Sequence, residues 1–216
     1  MSFVLDHKAE LLRLTLEHVL LCAVSLGIAL LLAVPVGIWM HGRARRIGAV
    51  TAVAGVLYTV PSLALFSLLV PVVGLGVVPT VIGLVLYAQL MLVRAVVSGL
   101  DSVPEEVRDA AVGMGIDRWR ILLDVDLPLA LPVFLAGVRV AAVTVIGIAT
   151  VGAVVDAGGL GELILQGIQR NESQRVIAGA LAVTALAVVA DYAIVRLERH
   201  ARPWVRRAGG AAGAAA

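Results

Sequence analysis

Residues able to perform chemistry are few in this chain and badly spaced for it. The four histidines, His7, His18, His41 and His200, stand far apart, with no i, i+4 pair flanking a glutamate and no other metal-ligand spacing. The single cysteine, Cys22, lies in an apolar run with no partner for a disulfide or a cluster, which marks it as a small buried hydrophobe. No glycine-rich stretch is followed by Lys-Ser or Lys-Thr, so nothing is built to cradle nucleotide phosphates. No metal site and no catalytic residue are expected. What stands out instead is one charged stretch between two apolar runs, Leu100 to Pro132, reading LDSVPEEVRDAAVGMGIDRWRILLDVDLPLALP. Its chemistry is that of a contact surface.

Read physically, this stretch predicts two helices joined at a glycine elbow. Ser102 or Asp101 is suited to cap a first helix with Pro104 at its start, where a missing amide donor costs nothing, and Glu105 and Glu106 favour the positive end of the helix dipole. That helix should stop at Gly113 to Gly115, because glycine takes the left-handed closing conformation without strain. Asp117 is placed to cap a second short helix, Arg118 to Asp126, ending before Pro128. The result is a protruding knuckle, with Ala110 and Ala111 expected at its tip, where small side chains let another protein approach the backbone. An amphipathic helix lying on lipid is the simpler alternative, but such helices are rich in Lys and Arg. Here Asp101, Glu105, Glu106, Asp109, Asp117, Asp124 and Asp126 outnumber Arg108, Arg118 and Arg120.

The elements that hold the knuckle are apolar. With 61% hydrophobic and 15% charged residues, and a mean hydropathy of +1.02, the chain falls outside the range of soluble domains. It is expected to be an all-α integral membrane protein. A helical span needs about 20 apolar residues, and the charge-free or nearly charge-free runs predict five spans at about 18–40, 47–70, 78–99, 129–155 and 176–197. The run Ile47 to Val93 is too long for one crossing, and Pro71 and Pro79 with Gly74 and Gly76 between them supply a turn midway. The first run exceeds the roughly 7 to 15 apolar residues of a secretory signal, so it reads as a retained span. Arg139 and Asp191 are isolated charges inside the fourth and fifth spans, each costing about 2.5 to 3.5 kcal/mol at the bilayer centre, and are expected to pair with one another or across a subunit interface. Pro61 should bend the second span and free polar backbone groups, tolerated only against protein or a watery cavity.

Orientation follows from arginine, since short cytoplasmic loops collect basic residues. Arg43, Arg45 and Arg46 follow the first span, and Arg196, Arg199, Arg202, Arg206 and Arg207 follow the last. Both segments are therefore expected inside, which puts the amino terminus outside, the carboxyl terminus in the cytoplasm and the loop 100–128 in the cytoplasm. The tail 201–216, basic and then GGAAGAAA, is expected to carry no regular structure.

The order Asp109-Ala110-Ala111, three residues, Gly115, nine residues, Val125, one residue, Leu127-Pro128 resembles the EAA motif of permease subunits of bacterial ABC importers, the loop on which the ATPase docks. The likeness runs through roughly residues 20–200. Pro35-Val36-Gly37, LYTVPSLALFSLLVPVVGLG from Leu57, VRAVVSGLDSVP from Val93, GMGIDRWRILLDVDLPLALP from Gly113 and AGGLGELI from Ala157 resemble permeases of the glycine betaine, carnitine, choline and proline importers. AGGLG is shared with methionine-type importers; the string Tyr58-Thr59-Val60-Pro61-Ser62 discriminates better.

The resemblance implies a methionine-permease-like fold of five transmembrane helices and assigns Asp109, Ala110, Ala111, Gly113, Gly115, Asp117, Leu127 and Pro128 to ATPase docking. It also implies ABC ATPase subunits carrying ATP and magnesium, a second permease subunit of the same or a similar chain, an external substrate-binding protein and surrounding membrane lipid, with no nucleic acid. Located in a bacterial plasma membrane, the chain would supply half of a translocation pore for a quaternary ammonium or betaine-type solute, with a methionine or other amino-acid importer as the alternative. Asp109 departs from the usual Glu and Val125 from Ile, both keeping charge or shape. Gln89 departs more, adding a polar group inside the third span where an apolar run with a proline is expected. Pro61, Ser62 and Gln89 are the candidate gate or pathway residues, joined by Gly158, Gly159 and Gly161, for which a tight turn and short helix is the plainer reading. A secondary transporter is disfavoured by five spans without an inverted repeat, and a membrane enzyme by the lack of clustered catalytic groups.

Overall fold

The computed structural model describes residues 7–200; the tail 201–216 lies outside the described residues. Helices are α1 (Lys8–Met40), α2 (Ala44–Thr59), α3 (Ser62–Val73), α4 (Val77–Asp101), α5 (Glu105–Gly113), the single turn α6 (Arg118–Arg120), α7 (Leu127–Ala149), α8 (Leu160–Gln169) and α9 (Ser173–His200). A π-helical segment, Ile121–Asp126, leads into α7, and a 3-10 turn, Thr150–Val155, leaves it. No strand occurs among the described residues. Four helical stretches are long and apolar enough to cross a membrane, and the bent pair α2 and α3 counts as a fifth if taken together as one broken span.

Packing centres on α4, which lies against α1 on one side and α7 on another, while α9 covers α7 and α8. Apolar burial drives nothing between helices inside lipid, so close van der Waals fit must hold them, and small residues permit it. Ala29, Ala33, Ala141 and Ala149 are fully enclosed at these seams. Gly137 passes Ala95 so closely that an added Cβ would stand 2.2 Å from the alanine methyl.

Contacts sort the connections to two ends of the bundle. His41, just past α1, lies 3.2 Å from Asp101 at the end of α4, which places both beside the knuckle. At the opposite, distal end the amide of Gly76 donates to the carbonyl of Val155 over 2.7 Å, and the amide of Gly159 donates to Glu17 of α1 over 3.2 Å. The helix that holds the first span starts ahead of it, as a continuous helix of 33 residues whose first turns carry the Arg13–Glu17 pair at 2.7 Å. At 1.5 Å per residue it is about 50 Å long, well beyond the roughly 30 Å hydrocarbon core.

The second span departs from expectation most. Instead of one bent helix, α2 and α3 meet at 93° across a break at Val60–Pro61. Pro61 has no amide to donate, and the residue before a proline is pushed to extended backbone, as Val60 is with ψ 128°. The carbonyl of Leu57 is taken by the Val60 amide and α2 ends. The midway turn is made by Gly74 and Gly76, both with positive φ, and not by the prolines. Pro71 sits inside α3, and Pro79 in the first turn of α4, where helix amides have no partner in any case.

Candidate functional site

The knuckle forms as two helical pieces about a glycine elbow, with local differences from expectation. Asp117 caps α6 by accepting the Trp119 amide at 3.1 Å, and Gly115 takes the left-handed conformation at φ +74°. Neither Ser102 nor Asp101 caps α5. Asp101 belongs to α4, the Ser102 hydroxyl donates back to Gly99 at 2.6 Å, and Pro104 occupies the cap position without a side-chain bond. The second helix does not stop before Pro128. A π-helical segment, Ile121–Asp126, precedes the proline, and the helix continues through Leu127 and Pro128 into α7. The knuckle is therefore continuous with a membrane span.

Asp109 and Ala110 are exposed on α5, whereas Ala111 is 2% exposed and faces the interior, a correction to the expectation that both alanines lie at the tip. Helical spacing explains this, because adjacent residues point 100° apart and only one can face a partner. Gly113 and Gly115 have open space around them. Large apolar side chains fill the outer surface instead: Val112 at 62%, Met114 at 72%, Trp119 at 70% and Leu123 at 58% exposure. Large exposed apolar side chains on so short a segment are suited to contact with another surface.

Sequence reasoning missed what holds α5 in place. The Arg108 guanidinium donates through Nε to Asp126 at 2.8 Å and through a second nitrogen to the carbonyl of Leu100. One side chain thereby ties α5 to the end of α4 and to the π segment before α7. Both partners are largely buried. Their 18-residue separation gave no periodic signal; two opposite charges flanking a helical hairpin were the only clue.

Within the bundle, Arg139 of α7 and Asp191 of α9 meet, Nε donating to the carboxylate, as a pair within one chain. The other candidate residues do not converge. Gln89 donates to the carbonyl of Ala29 at 3.2 Å and borders an apolar groove with Val36, Val50, Val53 and Leu57. Gly158 and Gly159 make the distal turn, both with positive φ, and α8 follows. The Gly159 backbone abuts His18, whose Nε2 lies 3.1 Å from the Ile146 carbonyl oxygen, while a Cβ at Gly161 would stand 2.1 Å from the Thr150 carbonyl oxygen. This turn is packed tightly against α1.

Pro61 and Ser62 lie at a cavity of about 260 Å³ where α2 breaks from α3. Tyr58, Thr59, Val60, Tyr87 and Ile148 complete its walls. The Tyr87 hydroxyl donates to the Val60 carbonyl that the break sets free, and the Tyr58 and Tyr87 rings pack edge to face, 5.8 Å apart at 82°. Tyr87 was not singled out from sequence. A tyrosine hydroxyl in an apolar span must find an acceptor, and the Val60 carbonyl left unpaired at the helix break is one; joining the tyrosine to the proline break was the available signal.

The family model of binding-protein-dependent transport system inner membrane components matches residues 26–203. The osmoprotectant import permease protein OsmW of Salmonella typhimurium is 39% identical over 201 residues, 91% of this chain and 94% of that one. The glycine betaine/carnitine/choline transport system permease protein OpuCB of Bacillus subtilis is 32% identical, covering 94% of each. Among solved structures, the inward-facing MetNI methionine ABC transporter matches with a TM-score of 0.82 and 22% identity over 91% of this chain and 98% of that one, a shared fold. On the family match across most of its length and on these relatives, the chain belongs to the binding-protein-dependent transport system inner membrane components.

Proposed function

We propose that this chain is the permease subunit of an ATP-driven importer of quaternary ammonium or betaine-type solutes, forming half of the pore. The observation that carries the reading is the knuckle: a surface-exposed apolar patch on two short helices, clamped by Arg108 and continuous with α7. ATP hydrolysis is assigned to a separate ATPase subunit, with ATP and magnesium bound there, and Asp109, Ala110, Gly113, Gly115 and Asp117 supply the docking surface or its shape. Ala111, Leu127 and Pro128 act from beneath, in the packing and in the helix that leaves the knuckle. Closure of the ATPase pair would move two knuckles together and tilt the attached spans. Shifting a two-state balance from 1:99 to 99:1 takes about 5.5 kcal/mol of differential binding, and a loose knuckle would dissipate it.

An external binding protein delivers substrate to the distal end, where Gly158, Gly159 and Gly161 let the turn and the start of α8 pack closely on their neighbours, and the chain sits with its amino terminus outside and its carboxyl terminus in the cytoplasm. The substrate class is supported by relatives named for osmoprotectant, glycine betaine, carnitine and choline transport. Methionine transport rests on likeness of fold alone, which carries no substrate information. The test is reconstitution with the cognate ATPase and binding protein: ATP-dependent uptake of glycine betaine or choline is expected, and uptake of methionine in its place would overturn the substrate reading.

A further inference from the structure

We infer that the cavity at the α2–α3 break is an intramembrane station for the quaternary ammonium group of the transported solute, with Tyr58 and Tyr87 as its aromatic walls. The inference rests on the substrate class proposed above and adds a site within the permease itself.

Ring centroids 5.8 Å apart and planes 82° apart set two π faces at nearly a right angle, a corner in which a compact cation meets both negative faces. Tyr58 is 39% exposed, so its ring is accessible, while Tyr87 is 3% exposed and fixed by its hydroxyl to the Val60 carbonyl. The remaining walls, Pro61 and Ile148 with Thr59 and Ser62, carry no charge. A volume of about 260 Å³ suits a small solute, being below the roughly 300 Å³ at which drug-sized pockets begin.

Chemistry separates a quaternary from a primary ammonium here. A primary ammonium brings three N–H donors that need acceptors once water is removed. No carboxylate lines this cavity, so a primary ammonium would have only neutral hydroxyls and the Val60 carbonyl, which Tyr87 already uses, to receive its donors. A methylated nitrogen has no N–H to satisfy and presents methyl surface to rings, Pro61 and Ile148. Placement agrees with a pathway role: Tyr87 is the eleventh residue of α4, about 15 Å along a helix about 37 Å long, near mid-membrane. The 93° break is itself explained, because irregular backbone at that depth is tolerated when it borders a polar cavity.

The test uses the complete importer, permease with ATPase and binding protein, in proteoliposomes, with choline as probe at saturating binding protein. Tyr58→Leu is expected to lower choline uptake roughly tenfold or more, the loss of a desolvated cation–π contact, and Tyr58→Phe to remain within about twofold. Replacing residue 58 by phenylalanines bearing one, two and three fluorines should lower uptake stepwise, a signature that a packing role does not give. Tyr87→Phe keeps the ring and serves if larger changes at the buried position prevent folding; it should retain choline transport better than Tyr58→Leu. Wild-type uptake of choline with no loss in Tyr58→Leu and no dependence on fluorination would overturn the station while leaving the importer reading intact. A wild-type complex that moves no quaternary ammonium compound would overturn both.

Discussion

Arg108 shapes the knuckle by bonding to both segments between which α5 hangs, the end of α4 and the π segment before α7. Removing it leaves Asp126, 11% exposed, without its cation, and a bond to a charged group contributes about 1.5 to 3 kcal/mol. Arg108→Ala is therefore expected to lower the melting temperature of the purified complex and to uncouple ATP hydrolysis from uptake, measured together; unchanged coupling would contradict the clamp. Glycines give a sharper contrast. At Gly161 a methyl would meet the Thr150 backbone at 2.1 Å, so Gly161→Ala should cost about 3 kcal/mol or more and reduce folded yield. Gly113 has open space and ordinary helical backbone, so Gly113→Ala should be neutral by the same assay. Gly115 also has space but sits at φ +74°, and Gly115→Ala should cost about 1 to 2 kcal/mol through backbone strain alone.

The elements behave as the proline and glycine pattern suggested wherever the deciding interaction was local. Asp117 caps the residue two positions on, Gly115 closes α5, and Gly158 and Gly159 turn the chain before α8. Where the outcome depended on a distant partner, sequence pattern was insufficient. Pro61 announced a bend, but the right angle is accompanied by Tyr87, 27 positions beyond Val60, which takes the carbonyl left unpaired at the break. Pro128 announced a stop, yet a π turn carried the helix through, which makes knuckle and α7 one lever. Arg139 and Asp191 were expected to pair because each is costly alone in lipid, and they join α7 to α9. Either Arg139→Ala or Asp191→Ala should lower the yield of folded protein in membranes several-fold, while Arg139→Asp combined with Asp191→Arg should recover most of it. A swap that fails to recover would mean that the surroundings favour one polarity of the pair.

For the whole molecule, contacts place the start of α1, the Gly74–Gly76 turn and the turn before α8 at one end, and His41 and the knuckle at the other. Arg43, Arg45 and Arg46 directly follow His41 at the knuckle end, and the arginine rule predicts that this end is the cytoplasmic one. A single cysteine introduced at Asn171 should react with an impermeant thiol reagent applied to intact cells, and one at Trp119 only after the membrane is opened; the reverse pattern would invert the proposed orientation. The central claim joins that architecture to a substrate. Its most direct test is uptake of radiolabelled glycine betaine, choline, carnitine and proline by cells carrying this chain with its ATPase and binding protein, compared with the same cells carrying Gly115→Asp. The account predicts accumulation of a betaine or choline that disappears in the variant while the protein remains inserted in the membrane. Accumulation of none of the four, or accumulation indifferent to the knuckle, would contradict it.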